Sequence, residues 1–518
     1  MKVIGDRLLD LSDFNEIVFK AEPISLSETA LAKVESSYRF LKQFSGNKLI
    51  YGINTGFGPM AQYKVSNDNI KQLQYNLIRS HASGGGKLIP PVLAKSLMLA
   101  RLNSLMLGYS GVHPETVHLL ASLINNDINP CVFEHGGVGA SGDLVQLAHL
   151  ALVMIGEGEV QYQGEVLPTK EVFEKFGIKP LNIYIREGLA ILNGTSAMTG
   201  IGMVNLEQAK KLCEWSIVLS AMTNEVVEAY EDHFSRELNI VKRHSGQNKV
   251  AEMMRQVLVG SKMIRNRSEH LYDPEKTNRE IFTDKVQEYY SLRCITQVLG
   301  PILETIEQSE KVVGNELNSV NDNPVIDEAN QNVFHGGNFH GDYVSLEMDK
   351  LKIAITKLSM LSERQLNYLL NDKLNQKFPP FVNHGILGFN FGMQGMQFPA
   401  TSTVAENQTL CFPMYVHSIP NNNDNQDIVS MGTNAALITK KVMDNSFEVL
   451  TVQAITILQA IDYLECTARL APFTLSVYKN LRELFPKFIG DDARYKELRL
   501  VRTFLENNEP FALYGVKE

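Results

Sequence analysis

The sequence of 518 residues contains little cysteine and a single tryptophan. The five cysteines are odd in number, lie far apart and form no C-x-x-C pair. Such usage predicts neither a disulfide framework nor a zinc ribbon, and it fits a reducing compartment. The five are Cys131, Cys213, Cys294, Cys411 and Cys466.

Long apolar runs and an excess of positive charge are also missing. The most apolar helical stretch, residues 449–464, is interrupted by Gln453, Gln459 and Asp462, so it is too short and too polar for a membrane span. The first residues, Met1–Arg7, lack the apolar run of a signal peptide. A net charge of −9 disfavours nucleic acid as a partner. We therefore expect a cytoplasmic protein with no membrane or nucleic-acid partner.

Apolar periodicity predicts a mainly helical chain. Apolar residues make up 44% of the sequence, which is enough for a large core. The longest helical patterns cover residues 200–233, 343–370 and 433–470. Lengths of this kind indicate a bundle of long antiparallel helices.

Local signals predict shorter elements. Ser25, followed three residues later by Glu28, has the spacing of a capping box at a helix start. Asp143 is expected to cap a helix that runs through Val153. Alternation over residues 160–168 predicts a hairpin.

A glycine-rich stretch at residues 134–144 contains the tripeptide Ala140–Gly142. In a strained loop the amide nitrogen of Gly142 can attack the carbonyl carbon of Ala140, because glycine has no Cβ to block the approach. Loss of water, including the Ser141 hydroxyl, would leave a methylidene-imidazolone ring, an electrophile made from the chain itself. Such a loop can also simply turn or hold a phosphate. However, no lysine follows these glycines and no G-x-G-x-x-G opens a helix here.

Five segments together resemble the aromatic amino acid ammonia-lyases and aminomutases. They follow one another between about residue 51 and residue 470. Ala140–Leu144 matches the segment from which that family forms its cofactor. The other four are Tyr51–Gly58, Leu192–Thr195, Gln287–Arg293 and Gly336–His340.

The resemblance implies a fold, a cofactor and an assembly. The cofactor would be 4-methylidene-imidazole-5-one (MIO), formed autocatalytically from Ala140, Ser141 and Gly142. The fold would be mainly α, with an N-terminal domain that carries the electrophile and a central helical bundle. The assembly would be a homotetramer with shared active sites. We predict domains over residues 1–200, 201–475 and 476–518, the last a helical tail.

The resemblance also implies roles for individual side chains. An ammonia-lyase must remove a β-hydrogen of very low acidity, so it needs an electrophile that side chains do not offer. Tyr51 matches the base that takes this hydrogen, and since a free phenol has a pKa of about 10, a tyrosinate needs stabilising surroundings. Asn193 and Tyr290 match residues that assist the electrophile and its amine adduct.

Other residues are expected to bind the substrate. Arg293 should bind the carboxylate, because its planar fork matches two oxygens. Gln287, Tyr290 and Arg293 are spaced to lie on roughly one face of a helix. Taken singly, each of these residues would be read as structural, and the surrounding motifs favour function. The remaining expected pocket residues are His81, Asn338, Phe339, Glu406, Asn425 and Gln426.

His335 and His340 raise the question of a metal site. Five residues apart on a helix, they would point about 140° away from each other. No third ligand is near in the sequence, so we predict no metal.

Signals for the substrate conflict. The pair Ser80–His81 resembles histidine ammonia-lyases, whereas tyrosine enzymes carry His-Leu and phenylalanine enzymes Phe-Leu. Residues 425–431 resemble the tyrosine and phenylalanine enzymes, since Gln426 replaces a glutamate and Ile428 a histidine of the histidine enzymes. A cationic imidazole benefits from carboxylates, whereas a phenol needs a neutral partner such as His81.

We therefore predict conversion of L-tyrosine to trans-p-coumarate and ammonia. The alternatives are L-histidine to urocanate, an MIO-dependent aminomutase that returns ammonia to the β-carbon, and an inactive homologue that acts as a helical scaffold. The scaffold does not explain why the tripeptide occurs together with Tyr51, Asn193, Tyr290 and Arg293.

Overall fold

The structure, a computed structural model, describes residues 1–272, 280–282 and 285–515. It is mainly helical, as predicted. The chain divides into two units, each made of three segments, and the predicted boundaries near residues 200 and 475 stay a prediction. The first unit is Met1–Glu207, Ser309–Asp349 and Pro413–Lys440, and the second is Gln208–Gln308, Lys350–Phe412 and Lys441–Glu518.

The first 195 residues form short and medium helices. They are α1 (Leu11–Val18), α2 (Glu28–Phe44), α3 (Ile70–His81), α4 (Pro91–Met106), α5 (Pro114–Asn125), α6 (Leu144–Met154), α7 (Thr169–Phe176) and α8 (Glu187–Leu192).

Four small sheets accompany these helices in the first unit. The strands are β1 (Lys2–Ile4) parallel to β2 (Ile24–Leu26); β3 (Gly85–Leu88) antiparallel to β5 (Phe133–His135); β4 (Asn129–Pro130), β6 (Glu159–Tyr162) and β7 (Glu165–Pro168) in one antiparallel sheet; and β8 (Val325–Asp327) antiparallel to β9 (Asn332–Phe334).

The rest of the chain is dominated by helices, four of them long. In chain order they are α9 (Ser196–Val226), α10 (Arg236–Ile240), α11 (Ser245–Leu258), α12 (Arg267–Leu271), α13 (Tyr290–Arg293), α14 (Ile295–Leu317), α15 (Asp342–Leu370), α16 (Asp372–Asn375), α17 (Gln394–Leu410), α18 (Gly432–Tyr463), α19 (Pro472–Leu484), α20 (Tyr495–Asn507) and α21 (Pro510–Leu513).

Buried amides join the long helices. In the first unit, Asn205 of α9 donates to the carbonyl oxygen of Ala436 on α18 at 2.8 Å. In the second unit, the Gln365 side chain of α15 accepts from Ser220 of α9 at 3.0 Å and from Gln453 of α18 at 2.7 Å. All five residues are buried, so these hydrogen bonds hold the helices in one register. The three long helices predicted from periodicity are confirmed, and α14 is a fourth.

The hairpin prediction is confirmed, the capping box at Ser25 is wrong, and Asp143 occupies the predicted N-cap position of α6 without a capping hydrogen bond. Gln163 and Gly164, between β6 and β7, are both left-handed, as a tight hairpin turn requires. Ser25 lies in β2, and the N-cap of α2 is Ser27, whose hydroxyl accepts from Ala30 N. Asp143 precedes α6 but makes no side-chain cap bond. Its carboxylate accepts instead from Met198 N at 2.9 Å and from the Thr433 hydroxyl, because it is fully buried among other elements.

None of the helices over the described residues has both the length and the apolarity that a membrane crossing needs.

Gln74 joins the loop after Tyr51 to two helices. It lies on α3 with no exposed surface, donates to the Gly52 carbonyl oxygen at 3.0 Å and accepts from Leu189 N of α8 at 2.8 Å. One buried amide thus satisfies two backbone groups and fixes the loop beside the catalytic candidate.

We expect Gln74→Leu to lower the free energy of unfolding by about 3 kcal/mol, because both backbone groups lose their partner while buried. Denaturant unfolding of purified protein measures the change. Gln72→Leu, at an exposed position of the same helix, is the matched control and should change stability little. Equal stabilities of the two variants would contradict the role given to Gln74.

Candidate active site

A cavity of about 960 Å³ lies in the first unit. It brings together residues that are far apart in sequence, from the loop after Tyr51 to the asparagine-rich loop at residues 420–427. Its described lining includes seven of the residues expected from the sequence: Tyr51, His81, Ser141, Asn193, Phe339, Asn425 and Gln426.

The tripeptide requires glycine at position 142 because of its backbone conformation and its surroundings. Gly142 is left-handed, with φ of +75°, and a Cβ built on it would lie 2.0 Å from the Gly194 carbonyl oxygen. The next residue, Asp143, donates its N–H to that same oxygen at 2.8 Å. Ala140, at the other end, is 5% exposed. The segment is therefore held tightly against the Gly194 backbone, and its residues fit a ring closure that needs an unhindered nitrogen.

Two side-chain amides donate hydrogen bonds to Ser141. Asn193 donates to the Ser141 carbonyl oxygen at 2.8 Å, and Gln426 donates to the Ser141 hydroxyl oxygen at 2.8 Å. The Asn193 side-chain oxygen in turn accepts from Asn323 N at 2.8 Å, which fixes the orientation of that amide. A donor on the hydroxyl oxygen would favour its departure as water in the ring closure expected from the sequence.

Tyr51 stands at the cavity wall in a defined orientation. Its hydroxyl oxygen accepts from Gly58 N at 3.1 Å, and its ring meets Phe57 edge-on at 6.3 Å between centroids. The hydrogen bond from this backbone N–H fixes the direction of the phenol group at the cavity wall. Gly58 is left-handed, and a Cβ at this position would lie 2.9 Å from the Asn422 amide nitrogen.

The asparagine-rich loop forms one wall of the cavity. Asn422, Asn423 and Asp424 are all left-handed, a conformation that Asn and Asp tolerate better than other residues with a side chain. The turn closes through a bridge between Asn421 and Gln426. Its polar composition therefore reflects both its backbone and its position at the cavity.

His81, the last residue of α3, lines the cavity with its imidazole ring. Its Nδ1 is 2.9 Å from the Leu77 carbonyl oxygen, and a carbonyl can only accept, so Nδ1 carries the proton. In a neutral ring Nε2 is then an acceptor. Burial lowers the pKa of His335, which also lines the cavity. Among the described lining residues none is Asp, Glu, Lys or Arg.

Four expected site residues belong to the second unit. Tyr290 is 72% exposed, and the Arg293 guanidinium lies 4.7 Å from its ring centroid. Arg293 also donates to Gln287, which precedes α13, so the predicted helical face of Gln287, Tyr290 and Arg293 is wrong. Glu406 lies on α17, accepts from Asn445 at 2.7 Å and is 3.5 Å from the Lys441 ammonium nitrogen.

The segment after β9 holds the two histidines and Asn338. His335 and His340 are not helical, so the angular argument made from the sequence does not apply. His340 pairs with Asp342 at 2.8 Å. Asn338 is exposed and donates to the Val320 carbonyl oxygen at 3.2 Å, and it is not among the described residues that line the cavity. The described residues contain no group of three His, Cys, Asp or Glu side chains that could hold a metal ion.

Several cavity residues were missed by the sequence reasoning. Asn76 and Asn323 line the cavity, and His335 was considered only as a metal ligand. Arg101, on α4, is not among the described lining residues, but it donates to the carbonyl oxygen of Asn193 at 3.0 Å. An arginine inside the apolar pattern of α4 was the signal that could have identified it, because an unexposed cation on a buried helix needs a reason.

The sequence model of the aromatic amino acid lyase family matches residues 9–483 of this chain. The chain belongs to the aromatic amino acid lyase family, and the resemblance stated from the motifs is confirmed. Its members include carbon–nitrogen lyases, and this chain is an enzyme of that class.

Relatives with different substrates are similarly close. A tyrosine ammonia-lyase of Cupriavidus metallidurans is 39% identical over 90% of this chain and 89% of its own. A histidine ammonia-lyase of Shouchella clausii is 37% identical over 98% of each chain. A crystal structure of a tyrosine aminomutase from Streptomyces globisporus has a TM-score of 0.96 at 33% identity and covers all of both chains. The fold is therefore that of this family, and overall likeness does not distinguish the substrates.

The buried Asp143 carboxylate should make stability pH-dependent. Burial raises its pKa to about 6, so between pH 4 and 6 the folded state holds a proton that the unfolded chain has released. The contribution of this group to the free energy of unfolding therefore falls as pH rises through that window, by up to about 1.4 kcal/mol per pH unit. Unfolding of wild type and Asp143→Asn at several pH values should show a less negative slope in the variant. Exposed Asp68→Asn is the control, and equal slopes in all three proteins would contradict the assignment.

Proposed function

We propose that the enzyme eliminates ammonia from L-tyrosine to give trans-p-coumarate, through an MIO group formed from Ala140, Ser141 and Gly142. The observation that supports this most directly is the position of His81, whose Nδ1 faces the Leu77 carbonyl oxygen at 2.9 Å, in a cavity that also holds Ser141 and Tyr51.

The chemistry of the lining favours a phenol. A phenol hydroxyl donates to His81 Nε2 without bringing a charge into the cavity. An imidazolium ring would enter a lining without a carboxylate, which disfavours a cationic histidine substrate. Phenylalanine has no donor, so it would leave the His81 acceptor without a partner.

The residues around the tripeptide divide the work. The MIO group supplies an electrophile that activates the substrate toward loss of its amine. Tyr51 takes the β-hydrogen, and the Gly58 N–H stabilises the oxygen that carries out this step. Asn193 and Gln426 hold the segment in place from its carbonyl and hydroxyl sides. Phe339 packs against the substrate ring from the cavity wall.

We further propose that the active enzyme is a homotetramer whose copies complete one another's sites. An amino acid carries a carboxylate, and the described lining in the first unit contains no arginine or lysine to receive it. Arg293 is the candidate for this contact, with Gln287, Tyr290, Asn338 and Glu406 as further contributors. The exposure of Tyr290 in the single chain is consistent with a role toward another copy.

A tyrosine 2,3-aminomutase is the second candidate. It shares the substrate and differs in returning ammonia to the β-carbon. The near-complete superposition on a tyrosine aminomutase supports it. Histidine ammonia-lyase is supported by an identity almost as high, but not by the described lining, which contains no carboxylate.

The substrate test uses purified enzyme with L-tyrosine, L-histidine and L-phenylalanine in parallel. We expect p-coumarate from tyrosine and a kcat/KM for histidine at least about a hundredfold lower, from the loss of matched polar contacts. Absorbance distinguishes p-coumarate from urocanate, and chromatography detects β-tyrosine. Turnover of histidine alone would refute the proposal, and β-tyrosine as the main product would select the aminomutase.

Ser141→Ala is the control for the electrophile. Wild-type intact mass should fall below the sequence mass by two waters, about 36 Da. The variant should lack the full loss and have almost no activity. Wild type with neither mass loss nor turnover would leave the helical scaffold as the function.

We expect His81→Leu to lower the ratio of kcat/KM for tyrosine over phenylalanine at least about tenfold, because the phenol hydroxyl loses its acceptor. His81→Gln, which keeps an acceptor, should retain more of the preference. Steady-state kinetics with both substrates measure the ratios. An unchanged ratio in His81→Leu would show that another residue recognises the ring.

A further inference from the structure

Arg101 is a buried cation directly behind the residues that hold the tripeptide. It lies on α4, where every residue from Leu93 to Met106 is buried, and it has no exposed surface. Its Nη1 donates to the Asn193 carbonyl oxygen at 3.0 Å, to the Asn321 side-chain oxygen at 3.2 Å and to the Ser196 hydroxyl at 3.5 Å. All three partners are uncharged.

Two glycines connect Arg101 to the ring-forming segment. The Cα of Gly142 faces the Gly194 backbone so closely that a Cβ would lie 2.0 Å from the Gly194 oxygen. On the other side, a Cβ on Gly194 would lie 2.2 Å from Arg101 Nη1. Gly194 itself has φ of +145°, a conformation that L side chains rarely adopt. The guanidinium, the Gly194 peptide and Gly142 thus form three layers in direct contact.

The burial of the Arg101 guanidinium is energetically unfavourable. Burial lowers its pKa to about 10, which still leaves it charged near neutral pH. Its Nε and Nη2 have no hydrogen-bond partner among the described residues. Arg186, also fully buried, differs because it has Asp322 at 3.3 Å. A desolvated cation without a carboxylate in contact is destabilising, so stability alone does not account for Arg101.

We propose that Arg101 is a positioning residue for formation of the electrophile, acting through the Asn193–Gly194 backbone. This inference rests on the proposed function, since it concerns how the proposed MIO group forms. Ring closure needs the Gly142 nitrogen to meet the Ala140 carbonyl carbon. The Gly194 peptide is the surface against which Gly142 is held, and Arg101 fixes that peptide from behind.

The reaction that Arg101 assists needs no external reagent. One bond forms, between the Gly142 nitrogen and the Ala140 carbonyl carbon. The first water carries away the Ala140 oxygen with the amide hydrogens of Gly142 and Ser141. The second carries away the Ser141 hydroxyl with the Ser141 Cα hydrogen. If the Gly194 peptide is held less firmly, ring closure slows, because closure depends on the approach of two backbone atoms.

The test follows the intact mass of newly made protein over time after cell-free synthesis. Arg101→Met removes the hydrogen bonds and the charge, and Arg101→Lys keeps the charge without the planar fork. Lys95→Met is the matched control: Lys95 is a buried cation on the same helix whose ion pair is with Asp127. Circular dichroism and thermal unfolding report folding separately.

We expect Arg101→Met to lose the two waters at least about tenfold more slowly than wild type, and Arg101→Lys to be intermediate. Lys95→Met should lose them at the wild-type rate, even where it is equally destabilised. Should Arg101→Met fail to fold, Arg101→Lys decides the question, and a rate within twofold of wild type would overturn the inference. Absence of mass loss in wild type would instead refute the proposed electrophile.

Discussion

The contact between two glycine backbones, Gly142 against Gly194, is the constraint on which the site depends. No side chain fits on either residue, so the tripeptide and the platform behind it approach more closely than other residues would permit. Asn193 lies next to this contact. Its carbonyl oxygen accepts from Arg101, and its side-chain amide donates to the Ser141 carbonyl oxygen. The helices around it serve to hold two short peptides in one geometry.

Charge is distributed in the first unit in an unusual way. The described cavity lining contains no Asp, Glu, Lys or Arg, yet fully buried ionic groups occur elsewhere in the unit: Asp143, Arg101, and Arg186 with Asp322. Desolvation strengthens electrostatic effects and makes each unpaired group costly. A cavity without acidic or basic side chains other than histidine suits the binding of an uncharged ring that we propose.

The first unit contains part of the expected site. Tyr51, Ser141 and His81 share one cavity, while Arg293, the candidate for binding the carboxylate, belongs to the other unit. An elimination needs both groups on one substrate molecule. This is why our proposal includes assembly: an arginine that meets the carboxylate from another copy makes catalysis depend on the oligomer.

The sequence by itself determined the family, the helical class, the long helices and seven of the residues that line the cavity. Periodicity predicts α9, α15 and α18 because their apolar stripes repeat over many turns, and the five motifs are local strings that can be recognised without coordinates. Only the tertiary structure decided what depends on distant contacts. Asp143 turned from a predicted cap into a buried acceptor for Met198 and Thr433, since its partners lie about 55 and 290 residues away. The position of the His81 ring against the Leu77 carbonyl oxygen is one such feature, and the role that we propose for Arg101 rests on a contact 92 residues along the chain. Sequence patterns report local preference, whereas these features arise from packing between segments that no local pattern relates.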